Sequence, residues 1–198
     1  MIEFINISDE LPYKIFKNRY EDAVRANQLI VEAVCISSYS SSNKEVNARF
    51  VNLKFVNEKE FIFFSNYDSP KSEDFKSHNQ ITALFHWSST NVQIRMKAKI
   101  NKTSREFNLK YFSGRDEKKN ALAISSNQSK PISSYEKVSE NYNKSLNNDN
   151  LKDCPEYWGG YSFVPYYFEF WEGHESRLNK REVYEMRNDG WSQYILQP

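Results

Sequence analysis

Glycine, cysteine and histidine are scarce in this 198-residue chain, at five, two and three residues. Cys35 and Cys154 stand too far apart for a zinc-ligand spacing and no C-x-x-C is present, so both are read as reduced thiols. His78, His86 and His174 show no ligand-like spacing, and without H-E-x-x-H a metal hydrolase is excluded. There is no G-x-G-x-x-G, no P-loop and no G-x-S-x-G, so the usual phosphate cradles and the nucleophile elbow are missing. Charge of one sign is lacking too. With 27 basic and 26 acidic residues the net charge is +1, which gives no global field for nucleic acid or an anionic membrane, so any anion site must be a local cluster. No apolar run approaches a membrane span, and Met1 to Glu10 lacks the stretch of a signal peptide; the expectation is a cytoplasmic protein.

Aromatic residues are abundant instead, at 16% with fourteen Phe and thirteen Tyr, so the core must lean on rings. The length suits one domain over residues 1–198 with a core of its own. Residues 8–27 predict a helix, with Ser8 or Asp9 as cap, Pro12 in the first turn, and Ile15, Phe16, Tyr20, Ala23 and Val24 on one side. Strands are expected at 29–37, 49–55, 60–65, 80–87 and 92–102, with a Ser-rich loop at 37–43, a hairpin turn at 56–59 and a short helix near 69–77. Within 92–102, Val92, Ile94, Met96, Ala98 and Ile100 alternate with Gln93, Arg95, Lys97 and Lys99, so one face is core. Helices follow at 103–113, 115–125 and 133–148, an Asn-rich loop at 147–150, and strands at 161–172, 175–186 and 191–196. Strands outnumber helices and hairpin connections dominate, which predicts a mainly β (α+β) fold, a closed or split antiparallel β-barrel with peripheral helices.

Most chemical information lies near the end of the chain. Trp158, Gly159, Gly160, Tyr161 and Pro165 lead into Glu169, Phe170, Trp171, Gly173, Arg177, Leu178 and Arg181. From spacing alone, most of the scattered cations (Arg49, Lys54, Lys71, Arg95, Arg115, Arg177, Arg181) read as solvated or paired with acids. An Arg beside Trp171 in a strand reads differently, because guanidinium groups bind phosphate bidentately and stack on rings. The spacing W-G-G-Y-x-x-x-P-x-x-x-E-F-W-x-G-x-x-x-R-L-x-x-R resembles the pyridoxamine 5'-phosphate oxidase family, FMN-binding split-barrel flavoproteins that make pyridoxal phosphate. The resemblance runs from about Leu11 to Pro198.

That resemblance implies roles for individual residues. The run Arg49, Phe50, Val51, Asn52, Leu53, Lys54 looks like the family strand R-x-V-L-L-K, whose Arg contacts flavin mononucleotide (FMN) and whose Lys reaches flavin and substrate phosphate. Phe64, Ser65, Asn66 and Tyr67, then Lys71, resemble Y-T-N-Y-x-S-R-K. Gln93 resembles a glutamine beside the flavin, and Gln128 and Ser129 resemble the Q-S pair that holds it. Trp171 and Arg181 imply further cofactor contacts, Tyr111 and Arg115 a grip on the phosphate of a vitamin B6 substrate, and Arg177 a catalytic contact above the pyridine ring. There are departures: Pro70 stands for an Arg, Lys119 for a Ser near the substrate phosphate, and Asn179 for a catalytic His; Phe64 lacks a hydroxyl, and residues 44–49 lack a G-x-P. The activity implied is hydride transfer from pyridoxamine or pyridoxine 5'-phosphate to FMN with O2 as acceptor, in a homodimer whose strands at 158–198 serve dimerisation and cofactor, with no metal, nucleic acid or membrane partner. A phenazine-pathway type oxidase and a non-catalytic flavin or pyridoxal phosphate carrier are the alternatives.

Overall fold

The computed structural model describes residues 1–198. In chain order its elements are β1 (Glu3–Ile5), α1 (Leu11–Arg25), β2 (Ala33–Ser40), β3 (Glu45–Asn57), β4 (Glu60–Asn66), α2 (Pro70–Ser77), β5 (Gln80–Trp87) and β6 (Val92–Lys102). Then come α3 (Arg105–Ser113), α4 (Glu117–Ser125), α5 (Tyr135–Asn148), β7 (Trp158–Glu172), β8 (Lys180–Arg187) and β9 (Gly190–Leu196).

Six antiparallel strands close a ring. β3 pairs with β2 and β4, β2 with β5, β5 with β6, β6 with β7, and β7 returns to β4. The long strand β7 makes this possible by changing partner. Along one edge Trp158–Asn66 to Phe163–Phe61 pair with β4, and beyond Tyr167 the same edge takes β8, while β6 runs along the other. Pro165 sits opposite the register shift between Lys97 and Ala98, a bulge where a residue without an N–H is tolerated. β8 and β9 thus form a wing on the barrel, and β1 adds a short parallel strand to β3. The result is a split barrel.

The interior is aromatic. Val92, Ile94, Met96, Ala98 and Ile100 are all buried, as their alternation predicts. Helix α1 packs against the barrel through Phe16, whose ring centroid lies 5.0 Å from Phe61 and 5.3 Å from Phe85. Tyr13 on α1 is fully buried as well. No helix is long and apolar enough to cross a membrane.

Several expected boundaries move. The helix over 8–27 spans only 11–25 and is capped by Glu10 without a side-chain bond, rather than by Ser8 or Asp9, and Val24 is exposed. The strand expected from Leu29 starts at Ala33: Leu29 and Ile30 face solvent, and Ile30 has a φ of 49°. Ser37–Ser40, expected as loop, are the end of β2, and β3 is a 13-residue strand that absorbs Val56 and Asn57, leaving a tight turn at Glu58 and Lys59. The last strands begin at Trp158, Lys180 and Gly190; the segment 175–179, expected as the start of a strand, is a loop. Strand β1 has no counterpart in the sequence reading.

Candidate functional site

At the start of α2 a buried ammonium sits among neutral oxygens. Lys71 is 8% exposed, and its Nζ donates to Ser65 Oγ, Ser69 Oγ and Gln128 Oε1, each at 3.1 Å. Ser65 Oγ also donates to Gln128 Oε1 at 3.2 Å. No carboxylate pairs with Lys71. Burial, and then the nearby Arg49 charge, pull its pKa down to about 8. Arg49, one strand away, donates from Nη1 to Ser38 Oγ at 2.6 Å and Ile36 O at 3.2 Å, and approaches buried Asp74 at 3.5 Å. Burial lowers its pKa and Asp74 opposes that shift. Pro70, the departure next to Lys71, is exposed at the first position of α2.

A second cationic region lies against an aromatic stack. The rings of Phe64 and Tyr111 stack at 3.9 Å and Phe64 and Trp158 at 5.1 Å, nearly parallel. The Arg115 guanidinium lies 5.1 Å from the Trp158 ring and donates from Nη1 to Lys119 O and Asn120 Oδ1, both at 3.1 Å. Asn120 is fully buried and its amide also donates to Phe112 O and Leu151 O, so it fixes Arg115 from behind. Arg115, Lys119, Phe64, Ser65, Gln128 and Trp158 share a cavity of about 230 Å³. Its lining includes no acid. Burial lowers the pKa of Arg115. Burial also lowers that of Lys54; Glu32 opposes this shift, while the charges of Lys119 and Arg115 add to it. Burial raises the Tyr111 hydroxyl.

The remaining predicted residues lie elsewhere. Gln93, Trp171 and Arg181 form one cross-strand row over β6, β7 and β8. Trp158 and Trp171 are the near and far parts of β7, separated by up to roughly 40 Å of extended strand at about 3.3 Å per residue. Arg177 and Asn179 lie in the loop after β7, where Asn179 Oδ1 accepts from the His174 N–H at 3.0 Å and Arg177 adopts a φ of 61°. Ser129 likewise has a φ of 67°, a left-handed geometry that costs energy in a non-glycine residue. Phe50 is 74% exposed on β3, while Val51 packs against the core. One chain therefore brings Arg49, Ser65, Lys71 and Gln128 close to Tyr111, Arg115 and Lys119, and it holds Gln93, Trp171, Arg177, Asn179 and Arg181 at the other end of β7.

The sequence reading misses two residues, Asn108 and Asn120, and gives no role to Glu169, which stands in the terminal motif. Asn108 Oδ1 accepts from the Gly160 N–H at 2.8 Å and from Thr103 Oγ1 at 2.6 Å, while its Nδ2 donates to Tyr67 OH at 3.1 Å. This network explains the Gly pair. A Cβ at Gly159 would overlap the Tyr67 hydroxyl and come within 2.5 Å of Asn108 Nδ2, and one at Gly160 would lie 2.5 Å from Thr103 Oγ1. No sequence pattern marks a buried amide, although the Gly pair hinted at a close approach.

A phosphate-bearing cofactor fits this donor set: a desolvated cation without a counter-ion is costly, and a phosphate oxygen that took the place of Gln128 Oε1 would accept from both the Lys71 ammonium and the Ser65 hydroxyl. A closed six-strand ring with a β wing is the fold of the FMN-binding split-barrel class. Residues 158–198 match the family described as "Pyridoxine 5'-phosphate oxidase C-terminal dimerisation region". The pyridoxine/pyridoxamine 5'-phosphate oxidase of Colwellia psychrerythraea is 31% identical over 96% of this chain and 88% of its own length. That of Aliarcobacter butzleri is 34% identical over 96% and 91%. The chain belongs to the pyridoxine/pyridoxamine 5'-phosphate oxidase family. Among solved structures, PhzG from Burkholderia lata, in complex with tetrahydrophenazine-1-carboxylic acid, superposes with a TM-score of 0.89 at 22% identity, covering 96% of this chain and 99% of that one. A pyridoxamine 5'-phosphate oxidase-related, FMN binding protein from Nostoc punctiforme superposes with a TM-score of 0.79 at 12% identity, covering 96% and 100%. At these identities the superpositions establish the fold alone.

Proposed function

We propose that this protein is an FMN-dependent oxidase that converts pyridoxamine or pyridoxine 5'-phosphate to pyridoxal 5'-phosphate, with O2 as electron acceptor. The observation that carries this reading is that, in a member of this family, one acid-free cavity is bordered by Arg115 and Lys119 and by Ser65 and Gln128, the partners of the buried Lys71 ammonium. Substrate and cofactor each carry a phosphate dianion, which suits two cationic groups, Arg115 with Lys119 and Lys71 with Arg49.

In this reading Lys71, Ser65, Arg49 and Gln128 hold the cofactor phosphate, with Ser129 at the adjoining turn. Arg115 and Lys119 take the substrate phosphate. Tyr111 backs that cavity through its stack on Phe64, and Lys54 adds positive charge near it. Bound FMN supplies the hydride acceptor. The chain's own task is to orient the rings and exclude water, which calls for no acid–base dyad. Gln93, Trp171, Arg181, Arg177 and Asn179 complete the site from a second copy of the chain, since one chain holds them at the far end of β7. Exposed Phe50 and Leu178 suit burial between two such copies.

The test is direct. Purified protein is expected to show the visible spectrum of a flavin and, on addition of pyridoxamine 5'-phosphate under air, to form peroxide and pyridoxal 5'-phosphate in equal amounts. A bound flavin with no turnover would replace the oxidase with a carrier, and turnover of a carboxylated tricyclic amine alone would replace the substrate.

A further inference from the structure

The most heavily bonded ionic group in the chain lies outside the cationic cavity. Glu169 on β7 is 3% exposed, yet its carboxylate receives two guanidinium groups. Oε2 accepts from Arg95 Nε at 3.1 Å, from Arg95 Nη2 and from Tyr167 OH at 3.1 Å. Oε1 accepts from Arg181 Nε at 2.9 Å and lies 2.8 Å from Arg181 Nη2. Burial would raise the Glu169 carboxyl, but the hydrogen bonds from both arginines hold it below the ordinary range.

A buried carboxylate held by two partly exposed arginines is a poor device for stability, because apolar residues of similar volume commonly serve a fold as well or better. Its geometry suggests another use. Arg181 stands directly across from Trp171, which stands across from Gln93, so the triad borders the row assigned above to the cofactor. Glu169 fixes Arg181 from one side, and Gln197 O accepts from Arg181 Nη1 at 3.0 Å on another. Of the five N–H groups of this guanidinium, the Nε–H and one Nη1–H are hydrogen-bonded and Nη2 is held by charge beside Glu169, so the fork is fixed while N–H groups on Nη1 and Nη2 remain without a partner.

We propose that Glu169 is a positioning residue: it holds the Arg181 fork so that its unpartnered N–H groups meet the flavin without further ordering. The inference rests on the flavin reading above. Arg95 is then the second cation that keeps Glu169 ionised in its buried seat.

A double-mutant cycle on FMN affinity tests this, with apoprotein titrated by flavin fluorescence. Arg181→Ala and Glu169→Gln are each expected to weaken FMN binding at least tenfold, with a shifted visible spectrum in E169Q. The double variant is expected to bind FMN no worse than R181A alone, because Glu169 acts only through that fork. Should E169Q not accumulate as folded protein, Glu169→Asp, which keeps the charge one methylene short, takes its place in the cycle. Independent effects that multiply, or a Glu169 variant that binds FMN as the wild type does, would overturn the inference while leaving the flavin reading intact. A wild type that takes up no FMN would overturn that reading and, with it, this one.

Discussion

Lys71 Nζ and Gln128 Oε1 lie 3.1 Å apart although 57 residues separate them in the chain. The contact joins the first turn of α2 to the turn that follows α4, and it gives the buried ammonium only the partial charge of an amide oxygen. That imbalance sets the first prediction. In the folded protein Lys71 titrates near 8, below the ordinary 10.5, so it is charged below pH 8 and loses its proton above. Apoprotein affinity for FMN is expected to be flat near pH 7 and to fall as pH rises through about 8, measured by fluorescence titration between pH 7 and 9.5. An affinity unchanged across that window would remove Lys71 from the phosphate.

The same lowered pKa makes Lys71 a burden on the apoprotein. The unfolded chain holds this proton up to 10.5 and the folded chain only to about 8, so the penalty is full below pH 8 and vanishes between the two values. Lys71→Met should therefore stabilise the apoprotein at pH 7 by roughly 1–3 kcal/mol while abolishing tight FMN binding. Urea denaturation at pH 7 and pH 10 checks the sign: the advantage of the variant should shrink at the higher pH.

Arg115→Ala should raise the KM for pyridoxamine 5'-phosphate by about 1.5–3 kcal/mol, roughly tenfold or more, with little change in bound flavin. The guanidinium faces the acid-free cavity and is already fixed by Asn120 and Trp158, so its charge is preorganised for the substrate. A colourless variant would mean that the two phosphate sites have been exchanged.

Pro70→Arg would place a cation beside Lys71, where relatives are expected to carry one. FMN affinity should rise by roughly 1–2 kcal/mol, about five- to thirtyfold, and the gain should shrink with added salt. Pro70 occupies the first helical position, so a small loss of apoprotein stability should accompany it. Equal FMN titrations of wild type and variant would show that the position does not face the phosphate.

Sedimentation should give twice the 23.5 kDa chain mass, and Phe50→Asp should shift the population toward monomer and release flavin together. A monomer that binds FMN tightly would contradict the shared site.

Much of the architecture could be read from β6, where strict alternation from Val92 to Ile100 marks a half-buried strand and every expected core position is buried. Ends were less legible. Leu29 and Ile30 look like the opening of a strand because they are apolar, but a left-handed turn at Ile30 exposes both. Glu175 to Asn179 lacks a proline to announce a loop, and the turn there is held by His174 and Asn179 instead. At the candidate site, Lys71, Gln128, Arg115 and Glu169 stand in short motifs, the last without a role. Asn108 and Asn120 stand in none, because a buried polar residue is defined by partners brought in from distant parts of the chain. Parallel β1 escaped for the same reason, with only three residues and its whole pairing on β3.

Strand β7 also sets an order on biosynthesis. β4 and β6 are made early, yet each keeps one unpaired edge until Trp158 to Glu172 arrive to lie between them. The nascent chain must carry two open sheet edges and a ring-lined interior through the synthesis of three helices before the barrel can close. Such edges recruit other chains readily. A nonsense change between Lys102 and Trp158 should therefore leave an aggregating fragment rather than a smaller folded protein.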